Sequence, residues 1–442
     1  MTSSQRLATR YRLQLDTTWA QWFDRDIERI APIGALGKCV PVGGLVDEAP
    51  SGIWAGFMLP DTLPIVGNEY GDWICVRVGA DNRFGELIYW YHGGGDWIPV
   101  GSTLAEAFLH DAIDQFRENL HQAIRGADES RVGLTLPNPR RLVEGDLFHW
   151  MTDHLPPGQS DQQDAVRTIA RSLVEQDHRS AVQQLWQQQW APYAAACDLL
   201  EHYLRTPLAR IARPDIAESC GLNWYPDFVQ LTFDVATIPA ALRDRIRELL
   251  GDPSVAWPAQ DWRRACHLAD QVLAQRSDLG WAFTVAGWSR ERAGETEEAA
   301  QLYFQGRLAS SFSDQAVRFG AHSTAERLGK FSMARLADLQ DFLSAEQRAD
   351  GYASLFFNRS NRSLLAVVSQ WWMERAQEAL ANGAPETAYE CYYRAGWDLG
   401  VSRLVEYQPI LEGLVTAAKQ AGWEARAEVA RTHLQRLHRQ IR

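Results

Sequence analysis

The stretch WICVRVGADNRFGELIYWYHGGGDWIPVGSTLAEAF, Trp73 to Phe108, decides the fold. Trp73–Val78 and Glu86–His92 are rich in aromatic and β-branched side chains, the composition of strands. Gly79–Gly85 turns the chain back between them, so the pair predicts an antiparallel hairpin. Gly93-Gly94-Gly95 is a permissive turn into a third short strand, Trp97–Val100, and at least one of these glycines is expected at positive φ. Thr103 then caps a helix, and Glu106 completes a capping box three residues on. Leu104, Phe108, Ala112, Phe116, Leu120 and Ile124 share one stripe able to cover a sheet, while Glu106, Asp111, Asp114 and Glu118 lie off it. The strands are apolar or aromatic on both faces: Ile74, Val76 and Val78 alternate with Trp73 and Cys75, and Ile88 and Trp90 with Leu87, Tyr89 and Tyr91. One helix covers one face. The other must meet the N-terminal helix, the later helical segments or a partner.

Upstream, Gln5–Ile30 has helical spacing in its second half, where Trp19, Trp22, Phe23 and Ile27 approach one stripe. Ala31–Pro64 is broken by proline and glycine and reads as loops and short strands. Downstream, the closing helix ends near Gly126, and proline-rich Arg131–Pro157 reads as a linker. Asp161–Ile211 is amphipathic, interrupted by Pro192 and Pro207, and predicts two or three helices. Asn223–Asp234 is a short strand or extended island, and helices fill the chain after Pro258. The fold class is an α+β N-terminal domain, a small antiparallel sheet with flanking helices, followed by an all-α region of helical hairpins. The expected boundaries are 1–126 for the α+β domain, 127–257 for a linker and helical middle region, and 258–442 for a helical repeat-like domain.

The last region carries a repeated phrase. Gly294, Ala299, Tyr303 and Gly306 have the spacing of Gly383, Ala388, Tyr392 and Ala395, and Gly422 with Ala427 begins a third copy that departs at Arg431. A turn glycine, a small residue where helices touch and an aromatic filling the hole are the marks of a tetratricopeptide-like second helix. First-helix positions agree in part, with Phe283 and Gly287 in one copy and Trp372 and Ala376 in another. A degenerate stack of hairpins and an irregular helical bundle both fit.

At 442 residues, two to four domains of ~100–200 residues are available. No apolar run reaches the ~18–20 residues that span a bilayer. The N-terminus, Met1-Thr-Ser-Ser-Gln-Arg-Leu7, has no basic segment leading into an apolar one, so a cytoplasmic protein is expected. A net charge of −12 argues against a general nucleic-acid binder. Cys39, Cys75, Cys197, Cys220, Cys266 and Cys391 show no CxxC spacing and read as free thiols.

Catalytic motifs are incomplete. His92-Gly93-Gly94-Gly95 matches the oxyanion loop of lipase-type hydrolases, but no G-x-S-x-G accompanies it, and Gly287-Trp288-Ser289-Arg290-Glu291 lacks the second glycine. A metal site built from His92, Asp72 and Asp96 has no supporting spacing, and His149 and His154 do not share a helical face. Gly37-Lys38 and Gly329-Lys330 are not followed by serine or threonine, so no phosphate loop is present. No catalytic residue, metal or cofactor is assigned.

What remains is a charged surface. From Pro32 to Asp114, eleven acidic residues stand against three basic ones, a net −8. Asp61, Glu69, Asp72 and Asp96 are interleaved with Trp73, Trp90, Tyr91 and Trp97, and these eight are the candidate partner-binding residues. Rings anchor a protein partner, and acidic charge steers a basic one. The alternative is a solvated acidic rim over rings that belong to the core.

Leu63-Pro64-Ile65, Gly71-Asp72 opening a strand, Gly85-Glu86-Leu87-Ile88 with Trp90-Tyr91-His92, Val100, and Leu104–Leu109 together resemble the SUKH superfamily, which includes fungal Smi/Knr cell-wall regulators and bacterial toxin-immunity proteins. The resemblance covers about a quarter of the chain and rests on turn glycines and apolar strands. The closing helix departs from the family pattern at Ser102-Thr103-Leu104, and Leu36–Leu59 fits the family's N-terminal helices poorly. It implies an α+β domain that binds proteins without catalysis: an immunity or antitoxin-like protein occluding a toxin domain such as a nuclease. No nucleic acid or membrane is implied as partner, and the oligomeric state is left open. The alternatives are a regulatory scaffold whose helical stack is the main binding surface, and a hydrolase using His92 with Asp72 or Asp96.

Overall fold

The computed structural model describes residues 1–24, 38–68, 71–124, 139–204, 214–222, 233–251, 257, 259–313, 330–357 and 364–442, with side chains at all of these except 38–39, 117–124, 214–216 and 250. The chain forms two compact units. One comprises Met1–Ala196, Met373–Tyr393 and Arg403–Arg442, the other Cys197–Trp372 and Arg394–Ser402. The expected α+β domain is therefore not a continuous segment ending at 126: C-terminal helices belong to the same unit as the sheet.

In the first unit, β1 (Lys38–Cys39), β2 (Thr62–Gly67), β3 (Trp73–Val78), β4 (Phe84–Trp90) and β5 (Trp97–Gly101) form one antiparallel sheet in that order. β3 has the predicted bounds. β4 starts two residues earlier than expected because Phe84 pairs with Val78 across the hairpin. β2 tolerates Pro64 because the register shifts between Pro64 and Val66, and a bulge is where a strand can lack one N–H donor. Gly95 has φ 79°, as the glycine turn requires. Of the N-terminal stripe, Trp19, Trp22 and Phe23 are buried, and Ile27 lies outside the described residues.

The closing helix Leu104–Ile124 starts at the predicted box. The Glu106 N–H donates to Thr103 Oγ1 (3.3 Å), and Thr103 N–H donates back to Glu106 Oε2 (3.0 Å). Leu104, Phe108, Ala112 and Phe116 are buried. Glu106 and Asp111 are buried too, against the expectation that they lie off the packed stripe. For Glu106 the reason is a second contact, its Oε1 accepting the Ala191 N–H at 2.9 Å. Arg131–Pro157 is not a plain linker in its described part. Gly145–His154 is a helix with Phe148 and Met151 buried, and Trp150 lies 5.8 Å from Trp22 and 5.9 Å from Phe108. Apolar residues inside a proline-flanked segment made this helix.

The sheet's open side meets the later helical segments. From the helix Glu424–Gln440, Arg426 Nε donates to Val78 O (2.8 Å) and His433 Nε2 to Thr62 O (3.1 Å). From the helix Pro385–Trp397, the Tyr393 hydroxyl accepts from Arg77 (3.5 Å).

The hairpin expectation holds at its turns. Gly294, Gly383 and Gly422 have φ of 84°, 70° and 75°. Each donates its N–H three residues back, to Glu291, Leu380 and Lys419, and the next residue donates five back, to Arg290, Ala379 and Ala418. This is the Schellman closure of a helix end. Ala299, Ala388 and Ala427 are fully buried. In the second unit, the helix Gly280–Arg292 pairs with Thr296–Gln305. There a Cβ on Gly287 would stand 2.4 Å from the Tyr303 ring, and one on Gly306 2.6 Å from Phe283. The same unit holds a smaller core, Ala217 and Ile246, with Leu222, Leu242, Leu249 and Trp257 around it. Within Asn223–Asp234, residues 223–232 lie outside the described ones.

Candidate functional site

The eight predicted partner-binding residues are mostly interior. Asp61 is 1% exposed, and its Oδ2 accepts from Arg77 Nε (3.1 Å) and NH2 (2.8 Å). Burial alone would lower the Arg77 pKa, but Asp61, then Tyr393 and Glu86, hold it above the usual arginine value. Trp90 is fully buried and donates its indole N–H to Phe57 O (3.2 Å). Trp73, Asp96 and Trp97 are buried, with the Arg77 guanidinium 5.8 Å from the Trp97 ring. Glu69 lies outside the described residues. Only Asp72 and Tyr91 are half-exposed. Three of the four interleaved rings, Trp73, Trp90 and Trp97, are core, as the blander alternative held, because the sheet is apolar on both faces and helices cover both.

Asp72 and His92 do come together. Asp72 Oδ1 accepts the His92 backbone N–H (3.0 Å) and lies 2.8 Å from His92 Nδ1, which must carry the proton since a carboxylate only accepts. Asp72 Oδ2 accepts from Asn68 Nδ2 (3.1 Å). His92 faces solvent, with its side chain 41% exposed.

Beside this pair stand two residues outside the eight candidates, Trp54, one of the aromatics interleaved with the acidic residues, and Phe57. Trp54 and Phe57 are 38% and 48% exposed. Their turn is closed by the Phe57 and Met58 N–H groups donating to Trp54 O (3.1 and 2.9 Å). Gly56 (φ 84°) lets that turn sit against the segment Leu404–Tyr407: a Cβ there would lie 2.6 Å from the Tyr407 ring and 3.0 Å from Leu404. Val405, on the same segment, is 47% exposed. The Trp54 ring centroid is 6.3 Å from that of His92 and 6.1 Å from that of Trp90. The candidate site is thus the exposed turn of Trp54 and Phe57 beside the Asp72–His92 pair, with exposed Val405 on the segment that Gly56 packs against. The lone sequence signal was Trp54-Ala-Gly-Phe57 inside a Pro/Gly-rich segment, where exposure has no periodic signature.

His92 makes its ring contacts to Asp72 and Trp54, an orienting carboxylate and an apolar wall. Among the described residues, no group of three His, Cys, Asp or Glu is placed to hold a metal ion. Lys330, from the rejected phosphate-loop phrase, is buried and ion-paired with Asp398, which also accepts from the Tyr352 hydroxyl and from Trp372 Nε1 (3.1 Å). Cys75, Cys197 and Cys391 are buried, and burial pushes the Cys75 thiol pKa up. No helix among the described residues is long and apolar enough to cross a membrane. No family model, curated protein or solved structure matches the chain.

Proposed function

We propose that this chain is a non-enzymatic, cytoplasmic protein-interaction protein of the SUKH kind, immunity or antitoxin-like, that binds and occludes a basic toxin domain such as a nuclease. The observation that carries the reading is the exposed Trp54–Phe57 pair, pinned by Gly56 beside Asp72. Two rigid rings supply anchoring area at little cost in side-chain entropy. The chain's net charge of −12 favours a cationic partner over a second acidic copy. The test is a quantitative pull-down with wild-type chain and the Trp54→Ala/Phe57→Ala variant, followed by calorimetry on the purified partner. A basic protein held by the wild type should lose about 2 kcal/mol, roughly 30-fold in Kd, on the variant. Equal affinity for both chains would remove the reading.

A second reading is a regulatory scaffold whose helical hairpins are the main partner-binding surface. Hairpins closed by one repeated turn geometry favour it. Its partner would bind the Trp54/Phe57 variant unchanged and lose affinity on substitutions along the hairpins.

A further inference from the structure

The helix Glu424–Gln440 is fastened to the sheet at a fully buried histidine. His433 is 0% exposed, and its Nε2 reaches the Thr62 carbonyl of β2 at 3.1 Å. A carbonyl can only accept, so Nε2 carries a proton, and in the neutral ring Nδ1 then holds a lone pair. Nδ1 has no hydrogen-bond partner among the described residues. A second proton would create a buried cation with an unmet donor, which the fold opposes and the released helix does not.

The geometry points to a conformational device: the C-terminal helix is an acid-released strap, held on the sheet while His433 is neutral and let go when it takes a proton. The strap is independent of the binding role proposed above. Charged and titratable groups lie on each of the elements around the histidine. On the sheet, Asp61 favours protonation of His433, but its charge is shared with Arg77 at 2.8 Å. From the helix Pro385–Trp397, burial and then the Asp61 charge keep Tyr389 and Tyr393 neutral phenols. From the helix Ser3–Tyr11, Arg10 donates to Thr432 (3.0 Å) and pairs with Glu428 (3.5 Å). On the strap itself, Glu428 also pairs with Arg431 (2.7 Å) and Arg436 donates to Ile53 O (3.3 Å).

Burial lowers the His433 pKa to about 4, against the smaller opposing effects of the Thr62 bond and Asp61. A free histidine titrates near ~6.5. The folded value is the lower one, so attachment is unaffected above pH ~6.5 and weakens as pH falls from there towards 4. Each unit multiplies the released population about tenfold.

The test is amide hydrogen exchange on the full chain, wild type against His433→Gln at matched pH. Glutamine keeps a donor for Thr62 and does not titrate. Protection of residues 424–440 should be similar in both at pH 7.5 and fall in the wild type alone, about tenfold per unit, between pH 6.5 and 4.5. Unchanged ratios across that range would overturn the device, as would equal loss across β3 and β4, which would mean that the whole unit opens. If His433→Gln does not fold, the wild type alone decides: protection of residues 424–440 that falls about tenfold per unit below pH 6.5 while β3 and β4 keep theirs upholds the inference, and a His433 ring-carbon NMR signal titrating near ~6.5 in the folded protein overturns it.

Discussion

Glu106 shows what a single residue can hide. Its capping role was legible from Thr103-x-x-Glu106, because the box is local in sequence. Its burial was not, because the second donor belongs to Ala191, 85 residues on. One carboxylate gathers Ser102 N–H (2.7 Å), Ser102 Oγ (2.7 Å) and Thr103 N–H on one oxygen and Ala191 N–H on the other. Ala191 holds φ 42°, unusual for a residue with a side chain, and its captured N–H helps fix it there. Glu106→Gln keeps an acceptor for only one of the two sides, so one amide N–H must face another donor. The expected loss is about 1–3 kcal/mol of unfolding free energy in urea titration. A neutral result would mean that the carboxylate does not bridge the helix start to Ala191. Asp61 and Trp97 teach the same limit. Acidic and aromatic composition was readable; whether those side chains face water depends on helices hundreds of residues away.

At the scale of elements, turn chemistry was the most legible feature and also the one most easily missed. The three hairpin glycines stood out because only glycine adopts positive φ freely. A fourth hairpin, Gln162–Val174 with His178–Gln188, has the same closure: Gln176 (φ 59°) donates to Leu173 and Asp177 donates to Ser172. Ala181 and Leu185 are buried at the spacing of Ala299 and Tyr303. Glutamine at the glycine position concealed this copy from the sequence reading. Gln176→Gly should therefore stabilise the chain by about 0.5–1 kcal/mol by relieving the left-handed strain, visible as a higher Tm. Gly287→Ala should act in the opposite sense. Its added carbon meets the Tyr303 ring at 2.4 Å, an overpacking that costs about 1–3 kcal/mol. Equal Tm values for both variants and wild type would remove hairpin packing as the explanation of the repeated phrase.

The first unit as a whole is closed by its two ends. The N-terminal sheet looked like a domain in its own right because strands, turns and a capped helix follow one another within Thr62–Ile124. The alternation that left one sheet face without an owner was the signal that it is not. That face is completed from residues 373–393 and 403–442. Without them Gly56 loses the Tyr407 ring, Arg77 loses Tyr393, and Thr62 O and Val78 O lose His433 and Arg426. Asp61, 1% exposed in the full chain, and its partner Arg77 would then lose part of their cover, on a short chain with a small core. A fragment of residues 1–126 should therefore lack a cooperative urea transition and near-ultraviolet circular dichroism. It should recover both only when residues 139–196 and 373–442 are supplied as well, since the missing contacts come from both segments. Cooperative unfolding of the 1–126 fragment alone, at a midpoint near that of the full chain, would show that the sheet needs only its closing helix and that the C-terminal helices are an addition to a domain already complete.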